Sequence, residues 1–357
     1  MDATTKAMLA RMPLAQAVLW LWRWVTSDER MAQLWETHRG RCYHKVISFS
    51  LVVQLMADAL LQYGGSGRRS FEKGVENGEL EASVQAAYGK LRRLPLPLSE
   101  AFVSESAKTL RTIFPQKAHR KLPRSLSRFQ VVILDGKAIK NVAKRLLGLR
   151  KVAGGLLGGR ALAALDWRTG LAVAMRVHPD GDANDVALTG ELVPEVRSII
   201  AGLRLWVTDR SSCDLTQPAH FQEQNDHYLV RYHPKVKFYP DLSRRARRGR
   251  DKEGRRYTEQ WGWMGGPGDP RRREVRLIRL PKVTDGGKKD LVLVTSLLDS
   301  KAYPAADLLA LYRERWGIEC VFQQVTEVFG LQGLIGGTPQ ACLFQFAFCL
   351  ILYNLIQ

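Results

Sequence analysis

Residues 130–136 read QVVILDG, and this stretch decides the fold. A short run rich in valine and isoleucine that ends in Asp135 and Gly136 is typical of a strand that stops at a turn. Residues 204–209, RLWVTD, repeat the pattern and also end in an acid, Asp209. Two such strands predict a sheet that carries acidic side chains where the strands end.

The chain between these two runs predicts three more elements. Residues 161–165 and 171–177 are β-rich and flank a turn, so they extend a β-meander that begins at residue 130. Asn184 or Asp185 then caps a helix that extends to about residue 200 and is broken or kinked at Pro194. The resulting order is strand, strand, strand, helix, strand.

This order resembles the ribonuclease H-like arrangement, which places the first and fourth of these strands side by side at the centre of the sheet. The resemblance implies that Asp135 and Asp209 meet. The expected fold class is therefore α/β, with a ribonuclease H-like catalytic core made of a mixed sheet flanked by helices.

Residues 312–329, YRERWGIECVFQQVTEVF, supply a third feature. Tyr312, Arg315 and Glu319 follow one another at steps of three and four, so on a helix they share one stripe. A single carboxylate beside a cation and a phenol suits a phosphate-handling site whose other acids come from elsewhere in the chain. Asp135 and Asp209 are the acids that we expect there.

Three acids from separate elements suit a particular chemistry. Carboxylate oxygens favour Mg²⁺ or Mn²⁺, and three acids can hold two ions about 3.5 to 4 Å apart. One ion would activate water or a 3′-hydroxyl, and the other would stabilise the departing 3′-oxygen. The expected reaction is metal-dependent phosphoryl transfer.

Composition indicates the partner. Fifty-four Lys and Arg against 35 Asp and Glu give a formal charge of +19, which favours a polyanion such as DNA. The alternative, a merely soluble basic protein, fits less well because the charge is clustered. Five cysteines without a CxxC pair, and no secretory signal at the N-terminus, predict a reduced cytoplasmic protein.

Length and composition predict three regions. Residues 1–120 are mostly helical and form a candidate DNA-binding region, in which the basic end of residues 83–93 either contacts DNA or complements a helix dipole. Residues 125–215 and 300–357 make the catalytic core. Residues 216–299 form an inserted β-rich subdomain, because the gap between Asp209 and Glu319 far exceeds one connection.

Two arginine clusters in this insertion suggest a grip on the phosphate backbone, although a disordered, solvated loop is the alternative for the first. Trp261 and Trp263 lie between the clusters and serve either to stack on an unpaired base or to pack in the core. The candidate DNA-binding residues of the clusters are Arg244, Arg245, Arg247, Arg248, Arg271, Arg272 and Arg273.

Three motifs together resemble a known family. LDG at 134–136, TDRSSCD at 208–214 and YRERWGIE at 312–319 are similar to the three signature regions of the IS4 family of DDE transposases, in the same order. The resemblance covers residues 125–357. It implies transposition by cleavage of transposon ends, often through a hairpin, and joining to target DNA.

The resemblance also assigns residues. Asp135, Asp209 and Glu319 correspond to the catalytic triad that binds Mg²⁺ or Mn²⁺, as two ions. Tyr312 and Arg315 correspond to residues that contact the transposon end near its phosphates. The expected partners are the terminal inverted repeats and target DNA, with no membrane, and the expected state is a dimer on paired DNA ends.

One position departs from the family pattern. Thr326 stands where the family has a lysine, so either a neighbouring cation substitutes or binding of the end is weaker. The abrupt end at Gln357 likewise leaves open a truncated or inactive copy. The alternatives are a catalytically impaired or domesticated DNA-binding protein and a stand-alone metal-dependent nuclease.

Four weaker patterns favour structural roles. Residues 341–356 are apolar but contain Gln345 and Asn354, which predicts a buried core helix over a membrane span. Glycines at 154, 155, 158 and 159 indicate a connector over a phosphate loop. His178 with acids at 180, 182 and 185 suggests a capped polar loop over a metal cluster. Arg210 and Asp214 either orient the site or close a turn.

Overall fold

A computed structural model describes residues 14–43, 46–114, 120–140, 157–281, 290–328, 331 and 333–357. Among these residues, six α-helices precede the first strand: α1 Leu14–Val25, α2 Asp28–His38, α3 Phe49–Leu61, α4 Gly67–Glu76, α5 Val84–Arg92 and α6 Leu96–Arg111. Five follow among the strands and after them: α7 Asp185–Ile199, α8 Gln217–Gln222, α9 Ala305–Arg313, α10 Trp316–Glu327 and α11 Pro339–Ile356.

The strands form one mixed sheet. They are β1 Gln130–Lys140, β2 Leu157–Asp166, β3 Ala172–His178, β4 Arg204–Thr208, β5 His227–Arg231, β6 Phe238–Pro240, β7 Arg247–Arg250, β8 Arg256–Met264, β9 Arg273–Leu280 and β10 Leu291–Thr295. Their order is β3-β2-β1-β4-β5-β10-β9-β8-β6, and β7 also pairs with β8. The predicted α/β class, a mixed sheet flanked by helices, is confirmed.

The first and fourth strands are neighbours, as the element order indicated. β1 pairs with β4 in parallel, and β4 pairs with β5 in parallel, whereas β2 and β3 add antiparallel strands beyond β1. All five residues of β4 are buried, which explains why this strand reads as a continuous apolar run.

The strands predicted in residues 216–299 belong to the same continuous sheet. β5 joins β4 directly, and β10, β9 and β8 continue the sheet outward from it. Arg247–Arg250 forms strand β7 inside the first arginine cluster, so the alternative of a disordered loop is wrong for that part of the cluster. The antiparallel partner β8 supplies the hydrogen bonds that order this very polar segment.

α11 is the apolar helix of residues 341–356. Pro339–Ile356 is long and apolar enough to cross a membrane, but 83% of it is buried inside the fold. Its two polar residues bond to backbone: the Asn354 amide pairs with both the N–H and the C=O of Ala172 at 2.8 Å, and Gln345 Oε1 accepts from Ile335 N at 2.9 Å. The helix is therefore a core helix that also covers the free edge of β3.

The N-terminal helices pack on this same helix. Trp22 of α1 lies 5.1 Å from Phe348, and Phe49 of α3 lies 5.8 Å from Phe344, measured between ring centroids. Lys90, in the basic helix predicted for residues 83–93, is buried with its ammonium 3.8 Å from the ring centroid of Trp35. Lys90 therefore packs inside the helical region and is not exposed for contact with DNA.

A buried ionic cluster joins α6 to the sheet and to α7. Glu100 accepts a hydrogen bond from Val177 N at 2.8 Å, and Arg176 contacts Glu100 at 3.3 Å, Glu191 at 3.7 Å and also Glu195. The pKa of Glu100 is raised to about 7, mainly by burial and in smaller part by Glu195 and Glu191, against the lowering effects of the Val177 hydrogen bond and Arg176.

This cluster predicts a pH dependence of stability. Because the folded state favours the protonated Glu100 and the unfolded chain ionises it near 4.5, its contribution falls as pH rises from 4.5 to about 7. In wild type we expect the free energy of unfolding to decrease between pH 5 and pH 8. Glu100→Gln should make this decrease smaller by on the order of 2 kcal/mol, measured by urea unfolding at the two pH values. Glu105→Gln is the control, since its side chain on the same helix is 50% exposed and pairs with Lys108, and it should leave the pH dependence unchanged. Equal pH dependence in wild type and Glu100→Gln would contradict the assignment.

Candidate active site

Strand register brings two acids together. Leu134 of β1 is the Cα partner of Thr208 of β4, so Asp135 and Asp209 each follow a paired residue on neighbouring parallel strands. The predicted end of the first strand at residue 134 is wrong, because pairing with β2 continues through Asp135, opposite Ala163, as far as Lys140. Asp135 therefore projects from a strand that continues past the end of β4.

Asp135 lies in a poorly solvated and negatively charged place. Its side chain is 17% exposed, and its Oδ1 accepts from Gly136 N at 3.0 Å. Burial raises its pKa to about 7, and the charges of Asp209 and Glu319 act in the same direction, whereas Arg315 opposes them. The electrostatic effect of both other acids on Asp135 places all three predicted acids in one neighbourhood.

Asp209 is fixed by the turn that follows β4. Its Oδ1 accepts hydrogen bonds from the backbone N of Ser211 at 2.7 Å and from the Ser211 hydroxyl at 2.5 Å. The carboxylate thus caps the short helical turn Arg210–Ser212. Asp214 closes the next turn by accepting from Thr216 N and Gln217 N, so its turn-closing role is the one observed.

Arg315 joins the third acid to the first. Its Nη2 donates to Glu319 Oε1 at 2.5 Å, and its Nη1 lies 3.8 Å from Asp135 Oδ2. The Arg315 side chain is only 7% exposed, and its buried Nε makes no hydrogen bond with the described protein groups. An unsatisfied donor beside three acids marks a place where a further acceptor can bind.

Tyr312 completes the predicted stripe. It lies at the end of α9, is 5% exposed, and its ring centroid is 5.8 Å from the Arg315 guanidinium carbon. Burial raises the pKa of its phenol to about 12, against the lowering effect of Arg315 and Arg231. The stripe crosses a break between α9 and α10 and is still held together by these contacts.

Sequence reasoning missed a supporting ion pair. Arg160 of β2 donates to both carboxylate oxygens of Asp185, at 2.5 and 2.6 Å, and Asp185 is 4% exposed. Asp185 packs directly against Gly136, where an added Cβ would lie 2.2 Å from its Oδ2. Two sequence features bear on this pair: the side chains of β2 alternate between the two faces of the sheet, and Asp185 stands at the start of a helix.

The acids suit a divalent metal by chemistry. Carboxylate oxygens are the ligands of Mg²⁺ and Mn²⁺, and the raised pKa of Asp135 reflects negative charge that a cation would offset. Across the described residues, however, no three His, Cys, Asp or Glu side chains are close enough together to hold one ion. In this arrangement Glu319 pairs with Arg315 instead of sharing a site directly with the two aspartates.

The predicted DNA-binding arginines fall into distinct environments. Arg245 and Arg248 are exposed. The others make local contacts: Arg244 with Glu274 at 2.9 Å, Arg247 with Ser300 at 2.6 Å, Arg271 with Asp269 at 3.1 Å, Arg272 over the Trp263 ring at 4.5 Å, and Arg273 with the carbonyl of Arg272 at 3.1 Å. Trp261 is buried and donates to Leu298 O at 2.7 Å, which is the packing role.

The β7–β8 hairpin is tied to the active-site helices. Asp251 in its turn is 7% exposed and accepts from Arg313 at 3.0 Å, and Arg313 also pairs with Glu253 at 2.5 Å. Arg313 is two residues before Arg315. The hairpin arginines are therefore held in a defined position relative to the acidic site.

The remaining weak patterns have structural explanations where the structure describes them. Asn184 caps α7 through Val186 N, and His178 Nδ1 and Asp180 accept from backbone N–H groups of the same loop. This matches the capped polar loop. Thr326 donates to Phe322 O at 2.6 Å. Gly154 and Gly155 lie outside the described residues.

The fold and the site together define a mixed α/β protein with an acidic centre at its central parallel strands. A family model described as transposase DDE domain matches residues 127–355. The chain belongs to this family, and membership implies a nuclease or transferase enzyme that acts on DNA. The same family generally uses divalent metal ions. No curated protein matches the chain.

Proposed function

We propose that this protein is a DNA transposase of the IS4 type that cuts transposon ends and joins them to target DNA. The observation that carries the proposal is the placement of Asp135 and Asp209 at adjacent positions of the parallel β1–β4 pair, with Glu319 linked to Asp135 through Arg315. The central parallel pair flanked by antiparallel β2 and β3 supports a ribonuclease H-like core.

In the proposed site Asp135, Asp209 and Glu319 would hold two Mg²⁺ or Mn²⁺ ions, with Glu319 exchanging its contact with Arg315 for a metal ion. When bound, these ions supply charge stabilisation to the attacking and leaving oxygens of phosphoryl transfer. Burial of Asp135 and the hydrogen bonds of Asp209 to Ser211 fix both carboxylates before DNA arrives. Such preorganisation avoids rearrangement during the reaction.

Arg315 and Tyr312 are proposed to hold the transposon end. A guanidinium can bind phosphate oxygens in a bidentate manner, and the unsatisfied Arg315 Nε offers one of the required donors. Lys137 of β1 has its ammonium 5.9 Å from the ring centroid of Phe322, one helical turn before Thr326. We assign to Lys137 the cationic role that Thr326 does not supply.

The remaining parts of the proposal concern regions and assembly. Residues 1–120 act as a helical DNA-binding region, residues 216–299 as a β-rich insertion, and residues 125–215 with 300–357 as the catalytic core. A dimer on paired DNA ends and a DNA-associated cytoplasmic location complete it. The packing of Trp22 and Phe49 on α11 supports direct coupling of the N-terminal helices to the core.

The test is cleavage of DNA carrying the terminal inverted repeats that flank the coding sequence, with Mg²⁺ or Mn²⁺ added. We expect cuts at the repeat ends and products joined to a second DNA. Binding to the repeats without cleavage would support an impaired, DNA-binding protein instead. Cleavage of any duplex regardless of its ends would support a nuclease.

A further inference from the structure

The ribbon of β7, β8 and β9 carries five arginines on one face, and four of them lie apart from the fifth, Arg273, which is opposite Met264 at the other end of β9. Residues directly opposite each other in an antiparallel pair point to the same face, as do alternate residues of one strand. Arg250 is opposite Arg256, and Arg248 is opposite Thr258, which is in turn opposite Arg279. Arg248, Arg250, Arg256 and Arg279 therefore share a face, and we call these four residues the arginine strip.

The other face of the ribbon is structural. Gly249 is opposite Tyr257, and a Cβ on Gly249 would lie 2.4 Å from the phenol ring, so the ring packs on this glycine. Glu259 pairs with the fully buried Arg276 at 2.8 Å on the same side. By contrast, the β7, β8 and β9 positions that share the face of the strip hold neither an acid nor an aromatic residue. Phe238 of β6, opposite Met264, is on the same face further along the sheet.

The strip has an uncompensated positive charge. Arg250 and Arg256 are directly opposite each other, an arrangement of like charges that destabilises a sheet. In the described part of the chain, no carboxylate lies within ion-pair distance of Arg248, Arg250 or Arg256, and Arg279 reaches Asp290 only at 3.9 Å. A bound anion would remove this repulsion.

Neighbouring arginines differ from the strip in this respect. Arg244 contacts both Asp241 at 3.6 Å and Glu274 at 2.9 Å, and Arg271 contacts Asp269 at 3.1 Å. Their side chains are as exposed as that of Arg279, at 50% and 56% against 54%. Exposure alone therefore does not separate the two groups. Ionic pairing does separate them for three of the strip arginines, and the fourth, Arg279, has only the long contact with Asp290 at 3.9 Å.

We propose that the arginine strip binds the phosphate backbone of duplex DNA and does not read its bases. Arg248, Arg250, Arg256 and Thr258 line an open concavity of about 500 Å³, which gives phosphate oxygens both guanidinium and hydroxyl donors. Tyr257 also lines the concavity, but its ring packs on Gly249, which gives it a structural role instead of a place as a stacking platform for an unpaired base. Contacts of this kind position DNA without sequence information.

The strip deepens the proposed transposase function and rests on it for the identity of the DNA. Its hairpin is fixed by the Asp251 contact with Arg313, two residues before Arg315. DNA bound along the strip would consequently keep a set position relative to the acidic site. The strip thus acts as a sequence-independent grip beside the cleavage position.

The test compares two double variants that remove the same charge. Arg250→Gln with Arg256→Gln alters the strip, and Arg244→Gln with Arg271→Gln alters arginines that are already paired. Binding of a fluorescent 30-base-pair duplex is measured over a range of salt concentrations without divalent metal. We expect the slope of log K against log salt to become shallower by about 2 for the strip variant and to change far less for the control.

Two controls make the result decisive. The strip variant should melt at or above the wild-type temperature in circular dichroism, because cross-strand repulsion is removed. Duplexes of unrelated sequence should lose affinity equally. Equal slopes for the two double variants, a loss confined to one sequence, or a loss with single strands but not duplexes would each overturn the proposal.

The experiments distinguish an incorrect proposal for the arginine strip from an incorrect proposal for the transposase function. Binding is measured without metal, so it does not depend on cleavage. A chain that shows the strip effect but never cleaves transposon ends would contradict only the transposase proposal. Normal end cleavage with identical slopes for both double variants would contradict only the strip.

Discussion

Replacing Asp135 with asparagine is expected to slow metal-dependent cleavage at transposon ends by at least about 100-fold while DNA binding is retained. The amide keeps the shape of the side chain and can still accept from Gly136 N, as the carboxylate does at 3.0 Å. It loses the negative charge that a divalent cation requires. Cleavage is measured on end-labelled repeat DNA, and binding by gel shift.

The same substitution, Asp135→Asn, should not lower the stability of the fold. Burial and two nearby acids raise the pKa of Asp135 to about 7, so the ionised carboxylate is held unfavourably by the fold. We therefore expect the free energy of unfolding at pH 8 to be unchanged or higher in Asp135→Asn. Asp180→Asn, in an exposed loop, is the matched control and should cleave normally. If Asp135→Asn cleaved at the wild-type rate, Asp135 would not be a catalytic residue.

Gly136→Ala is expected to lower the free energy of unfolding by about 1–3 kcal/mol and to reduce cleavage as well. The new methyl group would lie 2.2 Å from Asp185 Oδ2. Asp185 cannot turn aside easily, because Arg160 holds both its oxygens and the residue is 4% exposed. β1 would have to shift at the residue next to Asp135.

Urea unfolding and end cleavage measure the two effects of this substitution. Gly317→Ala is the control for stability, because it adds a methyl group in α10 where no atom lies within 4 Å. A glycine within a helix is less stable than alanine, so this control should gain about 0.5–1 kcal/mol. If Gly136→Ala were as stable as wild type, Asp185 or β1 must be able to move away from the added methyl group at no cost in free energy.

Much of the site could be predicted because it depends on local pattern. A strand ending near an acid is encoded by a few adjacent residues. That β1 and β4 would be neighbours was implied by the resemblance of the element order to the ribonuclease H-like arrangement, and the parallel pairing of the two strands agrees with it. The steps between Tyr312, Arg315 and Glu319 predicted a shared stripe from helix geometry. The stripe exists, although it crosses the break between α9 and α10. The apolar run at 341–356 predicted a core helix, since its length and composition are local properties as well.

Other features depended on partners far away in the chain. The extension of β1 to Lys140 comes from its pairing with β2, and the pairing of Asp185 with Arg160 joins residues 25 positions apart. The two arginine clusters look alike in sequence. Only the positions of Asp241, Asp269 and Glu274 separate the paired arginines from those of the strip.

The sequence by itself determined the α/β class and predicted three acids with a stripe beside one of them, because strand and helix periodicities are local properties of the chain. The tertiary structure alone decided that Arg315 links Glu319 to Asp135, that Asp185 supports Gly136, and which arginines remain uncompensated. These outcomes depend on the distances between charges on different elements. Such distances are set by packing and strand register, which no local pattern specifies.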